Sequence, residues 1–412
     1  MFTLLRDVLL LGTLAAGAPN PHPRQWQPTT GRAIYFLTND AENAVVAVPI
    51  AADGTLMGGT VTLTGGAGSN AINGMTNATA APDALLSQSS LAIAGNHLFA
   101  VNPGSNTLSM LSISPSDPTH LTPIGHPAPI PGDFPTTVAV SAQHRLACVG
   151  TTGARAGISC ARFSPATGLD AGGGDALRPF DLGQTTPPAG PANTVSHAFF
   201  SADGSGLYTT VKGDPAAGNN TGFFSVFAVE RSDGNAAARL ATEDTRSSPS
   251  GTALLFGAAD VPGTADVFVT DPSFGAAVLA VDGQSGEARL VARGAIEGQK
   301  ATCWATVSAA TGTAFVADAG VNRVVEMSVE DASVVSVLEL GGGPLDDADP
   351  GLTDLKAAGG FVYALSPGNG TTGAAVAVLD VSGGRGKGRM VQHFEVGGLG
   401  AGKNAQGMVV LV

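Results

Sequence analysis

A strand–turn–strand pattern recurs seven times along the chain, and no other feature restricts the fold so tightly. Its clearest copy is Thr194 to Asp214, TVSHAFFSADGSGLYTTVKGD. An apolar run from Val195 to Phe200 meets the turn Ser201-Ala202-Asp203-Gly204. A second run, Leu207 to Val211, then leads into a polar loop. Asp-Gly suits such a hairpin, because Gly takes positive φ without steric cost and Asp caps the turn. The second run aligns at Ala33–Asn39, His97–Asn102, Arg145–Thr151, Gly206–Val211, Asp266–Asp271, Thr313–Asp318 and Gly360–Ser366, with starts roughly 47 to 64 residues apart, the spacing of propeller blades. Each is followed by a third apolar run (AVVAVPI, TLSMLSI, GISCARF and their counterparts) and often by a weaker fourth.

Four strands repeated seven times, with no convincing amphipathic helix, specify an all-β, seven-bladed β-propeller. The 412 residues exceed an ordinary domain, but β-rich folds run long as one unit, and 57 Gly and 26 Pro supply the turns. Blade one lacks an inner strand, because the chain enters it at Ala33. The apolar C-terminal stretch Gln406 to Val412, QGMVVLV, has no blade of its own and is expected to complete blade one beside Ala33–Asn39. The expected organisation is a signal peptide over 1–18, a flexible mature N-terminus over 19–31 and the propeller over 32–412.

The net charge of −13 disfavours phosphate backbones and anionic lipid, so neither nucleic acid nor a membrane surface is an expected partner. Arg6, the apolar run Val8 to Ala16 and the small residues Ala15 to Ala18 have the form of a secretory leader; no later run is long enough to span a bilayer. The expected address is outside the cell or in its wall. Asn77, Asn219 and Asn369 head N-x-S/T sequons in Gly- or Asn-rich loops and are candidate glycan acceptors. In that oxidising setting Cys148 and Cys160, on strand-like runs flanking a loop, form a candidate disulfide, and Cys303 is expected as a buried thiol. The cysteine and histidine spacing supports no zinc site, no other metal or cofactor motif is present, and the acidic stretch Asp346-Asp347-Asp349 lacks calcium-loop spacing.

Propeller ligands sit where the loops after the second strands and between blades surround the channel. On this alignment that rim gathers Lys212, Asp271, Arg246 and Lys300, among other polar residues, with His197 on an inner strand just below. Each has a plain structural alternative: a strand-end Asp often caps its own turn, and an inner-strand histidine is about as readily a satisfied core group.

The strings AIYFLTNDAENAVVAVPIAADGTL, FAVNPGSNTLSMLSI, CVGTTGARAGISCARF and TTPPAGPANTVSHAFFSADGS resemble the secreted fungal proteins called 3-carboxymuconate cyclase-like, over essentially the whole mature chain. That group belongs to the wider seven-bladed lactonase propellers. The resemblance implies a seven-bladed fold and a lactone-forming or lactone-opening reaction on a small carboxylated molecule or lactone at the channel mouth, with no metal or cofactor. It also implies that some members are glycosylated cell-wall antigens. The wider lactonases carry a histidine just before a Ser-Pro-Asp-Gly turn; here Ser196 holds the matching place and His197 stands one residue on. Ser250-Gly251-Thr252-Ala253 stands where they have Gly-Pro-Arg-His, and Thr270-Asp271 where they have Asn-Glu.

Cyclising a muconate needs cations for two or three carboxylates and a tuned general acid. The expected assignment is Arg246, Lys212 and Lys300 as anion holders, with His197 or Asp271 moving the proton. Convergence of His197, Arg246 and Asp271 in one pocket would favour an enzyme. A channel filled by side chains would favour a non-catalytic, glycosylated binding propeller of the wall or extracellular space.

Overall fold

A computed structural model describes residues 31–170, 174–218, 222–230, 238–341 and 351–412. The expected leader over 1–18, Asn219 and Asp346-Asp347-Asp349 lie outside these residues. Seven antiparallel sheets, each four strands deep, stand as blades around a central channel. Their innermost strands are Gln406–Leu411, Leu91–Ala94, Pro135–Ser141, Val195–Phe200, Ala258–Asp260, Thr302–Ser308 and Leu355–Ala358, for blades 1 to 7. Helix among the described residues amounts to two short 3₁₀ turns, and none is long and apolar enough to cross a membrane.

The second and third strands of each blade are nearly continuous apolar runs because both faces are covered by neighbouring blades. Phe361–Ser366 and Ala375–Asp380 of blade 7 are buried almost throughout, whereas the outer strand Val334–Glu339 of blade 6 is largely exposed. The apolar core therefore forms layers between blades. Ile34, Phe36 and Val46 of blade 1 pack with Tyr363, Leu365 and Val376 of blade 7, and Phe256 and Trp304 lie in the layer between blades 6 and 7.

The C-terminal strand completes blade 1 as its innermost member. Ala33 pairs with Leu411, Ile34 with Val410 and Tyr35 with Val409, and Arg32 N donates to Leu411 O at 2.7 Å. The turn at Ser201–Gly204 also folds as its residues dictate. Gly204 has φ +71°, and Asp203 Oδ1 accepts from Ser201 Oγ, Ser205 N and Ser205 Oγ. Cys148 and Cys160 occupy paired positions on adjacent strands of blade 3 and are joined as a disulfide. Cys303 is free and buried.

Burial of Met408 and Leu411 alone is worth about 3–6 kcal/mol. Deleting residues 406–412 is expected to lower the melting temperature on the order of 10 °C, since it also bares the inner edge of blade 1. Calorimetry checks this, and an unchanged Tm would rule out the closure.

Candidate functional site: the central channel

The connection from blade 1 to blade 2 does not run over the rim. It descends into the channel, where Ser87, Gln88 and Ser90 are almost completely buried. Gln88 N donates to Ser196 O (2.8 Å), and Gln88 Nε2 donates to Ala305 O (3.1 Å) and Ala258 O (3.4 Å), while Gln88 Oε1 accepts from Ala305 N (3.0 Å). Ser87 Oγ donates to Thr136 O (2.8 Å), and Ser87 O accepts from Trp304 Nε1 (2.9 Å) and Gln406 Nε2 (3.2 Å). Ser89 N donates to Asp354 Oδ2 (2.9 Å), and Ser90 O accepts from Val101 N (3.2 Å). Four consecutive residues thus bond to all seven blades. These inner-strand amides and carbonyls, which would otherwise need water or ligand, are satisfied by the chain itself.

Asp354 anchors this plug. Its carboxylate accepts from Ser89 N, Leu355 N (2.9 Å) and Met408 N (3.1 Å), joining blade 7, the C-terminal strand and the plug. Burial raises its pKa despite the opposing charge of Lys356. A second charged pair, buried Lys212 and partly buried Asp83, lies above. Lys212 Nζ donates to Leu86 O (2.7 Å) and Ser196 Oγ (2.9 Å) and sits 4.1 Å from the centre of the Phe256 ring. Burial pulls Lys212 down to about 8, opposed by Asp83, and pushes Asp83 up to about 7, opposed by Lys212. The same burial raises the Cys303 thiol, which leaves it protonated and inert.

The nominated rim residues do not come together. Lys212 is 2% exposed and its ammonium is committed to the plug. Asp271 accepts from Ala253 N (2.7 Å), Ser273 N (3.0 Å) and Ser273 Oγ (2.6 Å), which ties a strand end to the preceding connection. Asp318 repeats the arrangement one blade on, accepting from Lys300 N and Ala301 N. The Lys300 side chain is exposed beside it. Arg246 lies on Thr245–Ser247, the outer edge of blade 4, three strands and about 14 Å from the channel strand. It pairs with Asp244 and packs over Phe180 and Phe223. Asn77 and Asn369 occupy exposed turns.

His197 remains at the channel, below the plug. The pairing of Val195–Phe200 with Gly206–Val211 shifts register between Val195 and His197, a bulge at Ser196. Ser196 therefore meets Lys212 and Gln88, while His197 Nδ1 accepts from Ala258 N (3.3 Å) and its ring stacks on Phe199. Burial, then the charge of Lys356, holds its pKa well below the usual value. The ring is neutral at physiological pH, with its proton on Nε2.

Beneath the plug the channel is open. A cavity of about 230 Å³ is lined by Ser89, Leu91, Ala92, Ile93, Val138, Ala139, Val140, His197, Ala198, Phe199, Phe200, Lys356 and Val409. Lys356 Nζ lies 3.3 Å from Ser89 Oγ and 3.6 Å from Asp354 Oδ1. Three polar side chains, Ser89, His197 and Lys356, thus stand on an otherwise apolar lining, the usual composition of a small-molecule site. Lys356, Asp354 and the plug were missed from sequence. The available signals were a lysine inside the innermost strand LKAA and the apolar Ala84-Leu85-Leu86 in an inter-blade connection. Among the described residues no group of three or more His, Cys, Asp or Glu side chains could hold a metal.

No protein-family profile and no curated protein matches the chain. Solved structures do. A periplasmic gluconolactonase of Pseudomonas aeruginosa superposes with TM-score 0.61 at 16% identity, over 92% of this chain and 99% of that one. A putative 6-phosphogluconolactonase of Bacteroides fragilis gives 0.61 at 10% identity, over 93% and 98%. A hypothetical selenium-binding protein of Sulfolobus tokodaii gives 0.57 at 11% identity, over 94% and 97%. At these identities the likeness is one of fold.

Two predictions follow from the plug's anchors. Asp354→Ala leaves three backbone N–H groups without an acceptor, at about 1–3 kcal/mol each, so urea denaturation should show a loss of roughly 3 kcal/mol or more, with Asp354→Asn milder. Unchanged stability would contradict the anchoring role. The Asp83 carboxyl, raised from 3.8 to about 7, holds a proton in the folded state that the unfolded chain has released. Its contribution therefore falls as pH rises from about 4 to 7, by at most about 1.4 kcal/mol per pH unit. Asp83→Asn should flatten this part of the pH–stability curve. Equal slopes in the two proteins between pH 5 and 7 would show that Asp83 is not raised.

Proposed function

We propose that the chain is a lactonase-type propeller acting outside the cell, and that its working site is the channel cavity beneath the plug. The observation that carries this reading is that Lys356, His197 and Ser89 share the lining of one otherwise apolar cavity, with Lys356 Nζ 3.3 Å from Ser89 Oγ. An ammonium and a neutral imidazole N–H are donors suited to the oxygen of a lactone carbonyl, whose negative charge grows as water adds. Water attack then breaks the acyl C–O bond. The ring oxygen leaves as a hydroxyl, and the acyl carbon becomes a carboxylate with release of one proton. Muconate cyclisation fits less well, since it needs several cations around one substrate, and Lys212, Arg246 and Lys300 are distributed over the plug, the outer edge of blade 4 and an exposed loop.

The test is turnover by the purified full-length protein of 3-carboxymuconate, followed by ultraviolet absorbance, and of a lactone panel, followed by proton release. At least one lactone should be opened. Lys356→Met should lower kcat/KM by about 10²-fold, and Arg246→Ala should leave it unchanged. If the wild type opens no lactone, the catalytic reading falls. The filled channel mouth and the separation of Arg246 and Asp271 from His197 support a second reading, a non-catalytic extracellular propeller that binds without turnover.

A further inference from the structure

The lining of the cavity bears on which lactones it can admit, and the inference rests on the cavity being the working site. Lys356 is the cation on its lining, and Asp354, 3.6 Å away, already balances that charge. His197 adds none, being neutral. An ammonium has three N–H groups; Ser89 Oγ and Asp354 Oδ1 lie near it, which leaves a donor for a ligand oxygen. Once it accepts from Lys356, the Ser89 hydroxyl can point its own proton at the same oxygen. The walls, by contrast, are Ile93, Val140, Phe199 and their apolar neighbours, which offer no side-chain hydrogen bonds.

We propose that this site takes an uncharged aliphatic lactone, its carbonyl oxygen at Lys356 and Ser89 and its alkyl body against Ile93, Val140 and Phe199. A carboxylated or phosphorylated lactone would bring uncompensated negative charge into a balanced, largely apolar site, and a sugar lactone would bury hydroxyls with no partners. The volume of about 230 Å³ falls below the ~300 Å³ at which drug-sized ligand sites begin, so the ring carries a short chain.

The experiment is calorimetric titration of the full-length protein with γ-octalactone, glucono-δ-lactone and cis,cis-muconate. Because it reads binding, its outcome is independent of whether any lactone is turned over. Octalactone should bind at least about tenfold more tightly than either polar compound, and Lys356→Met should weaken it about tenfold or more. Lys356 also contacts the plug, so a second variant, Val140→Trp, fills the cavity from the apolar side and should abolish octalactone binding while circular dichroism stays that of the wild type. Equal or tighter binding of gluconolactone or muconate, no binding of octalactone, or octalactone affinity unchanged in both variants would overturn the proposal.

Discussion

One carboxylate holds the centre of this ring together. Asp354 sits where the chain enters blade 7, in a left-handed conformation at φ 72°, and its two oxygens gather amide hydrogens from blade 7, the C-terminal strand and the plug. These segments are far apart in sequence and share no ladder at that point. A buried charge is costly unless hydrogen-bonded, and three amides and a nearby ammonium meet that condition here. The arrangement couples closure of blade 1 to occupation of the channel, since both draw on the same group.

The plug changes what the rest of the molecule can do. In an open propeller the inner-strand amides and carbonyls around the mouth face solvent or ligand. Here Gln88 uses its backbone N–H and both ends of its side chain to serve blades 4, 5 and 6, and Ser87 serves blades 1, 3 and 6. Lys212 closes over this segment and becomes part of its support. The chemistry available to an outside molecule moves to the other half of the channel, where His197 and Lys356 face a cavity with few polar groups.

The fold was legible in the sequence because blade packing leaves a strong trace. Middle strands covered on both faces must be apolar throughout, as in AIYFL and TAFVAD, and tight hairpins must carry Asp-Gly or Asn-Gly chemistry. The site was much less legible. The blade alignment puts Arg246 in a loop between blades, yet it pairs with the third strand of blade 4 through backbone bonds that any sequence can make. Asp271 was read as a possible acid, and its equivalence to Asp318 shows a repeated latch on the preceding connection. The bulge at Ser196 decides which of Ser196 and His197 faces the plug, and equivalent bulges stand at the head of the inner strands of blades 3 and 6. The plug left only a faint mark, three apolar residues in a polar connection, because serine and glutamine read as surface until their partners are known.

The pairing of Ala33 with Leu411 also bears on how the molecule is made. During synthesis Ala33–Leu37 emerges before the other blades and waits, its inner edge unpaired, until Gln406–Leu411 has left the ribosome. Loop-closure entropy grows only with the logarithm of length, so joining the two ends costs little more at equilibrium than joining nearer strands. Its kinetic cost is larger, because contacts of such sequence separation are among the slowest to form and leave an apolar edge open in the meantime. The ring is thus a structure whose first strand depends for its partner on its last.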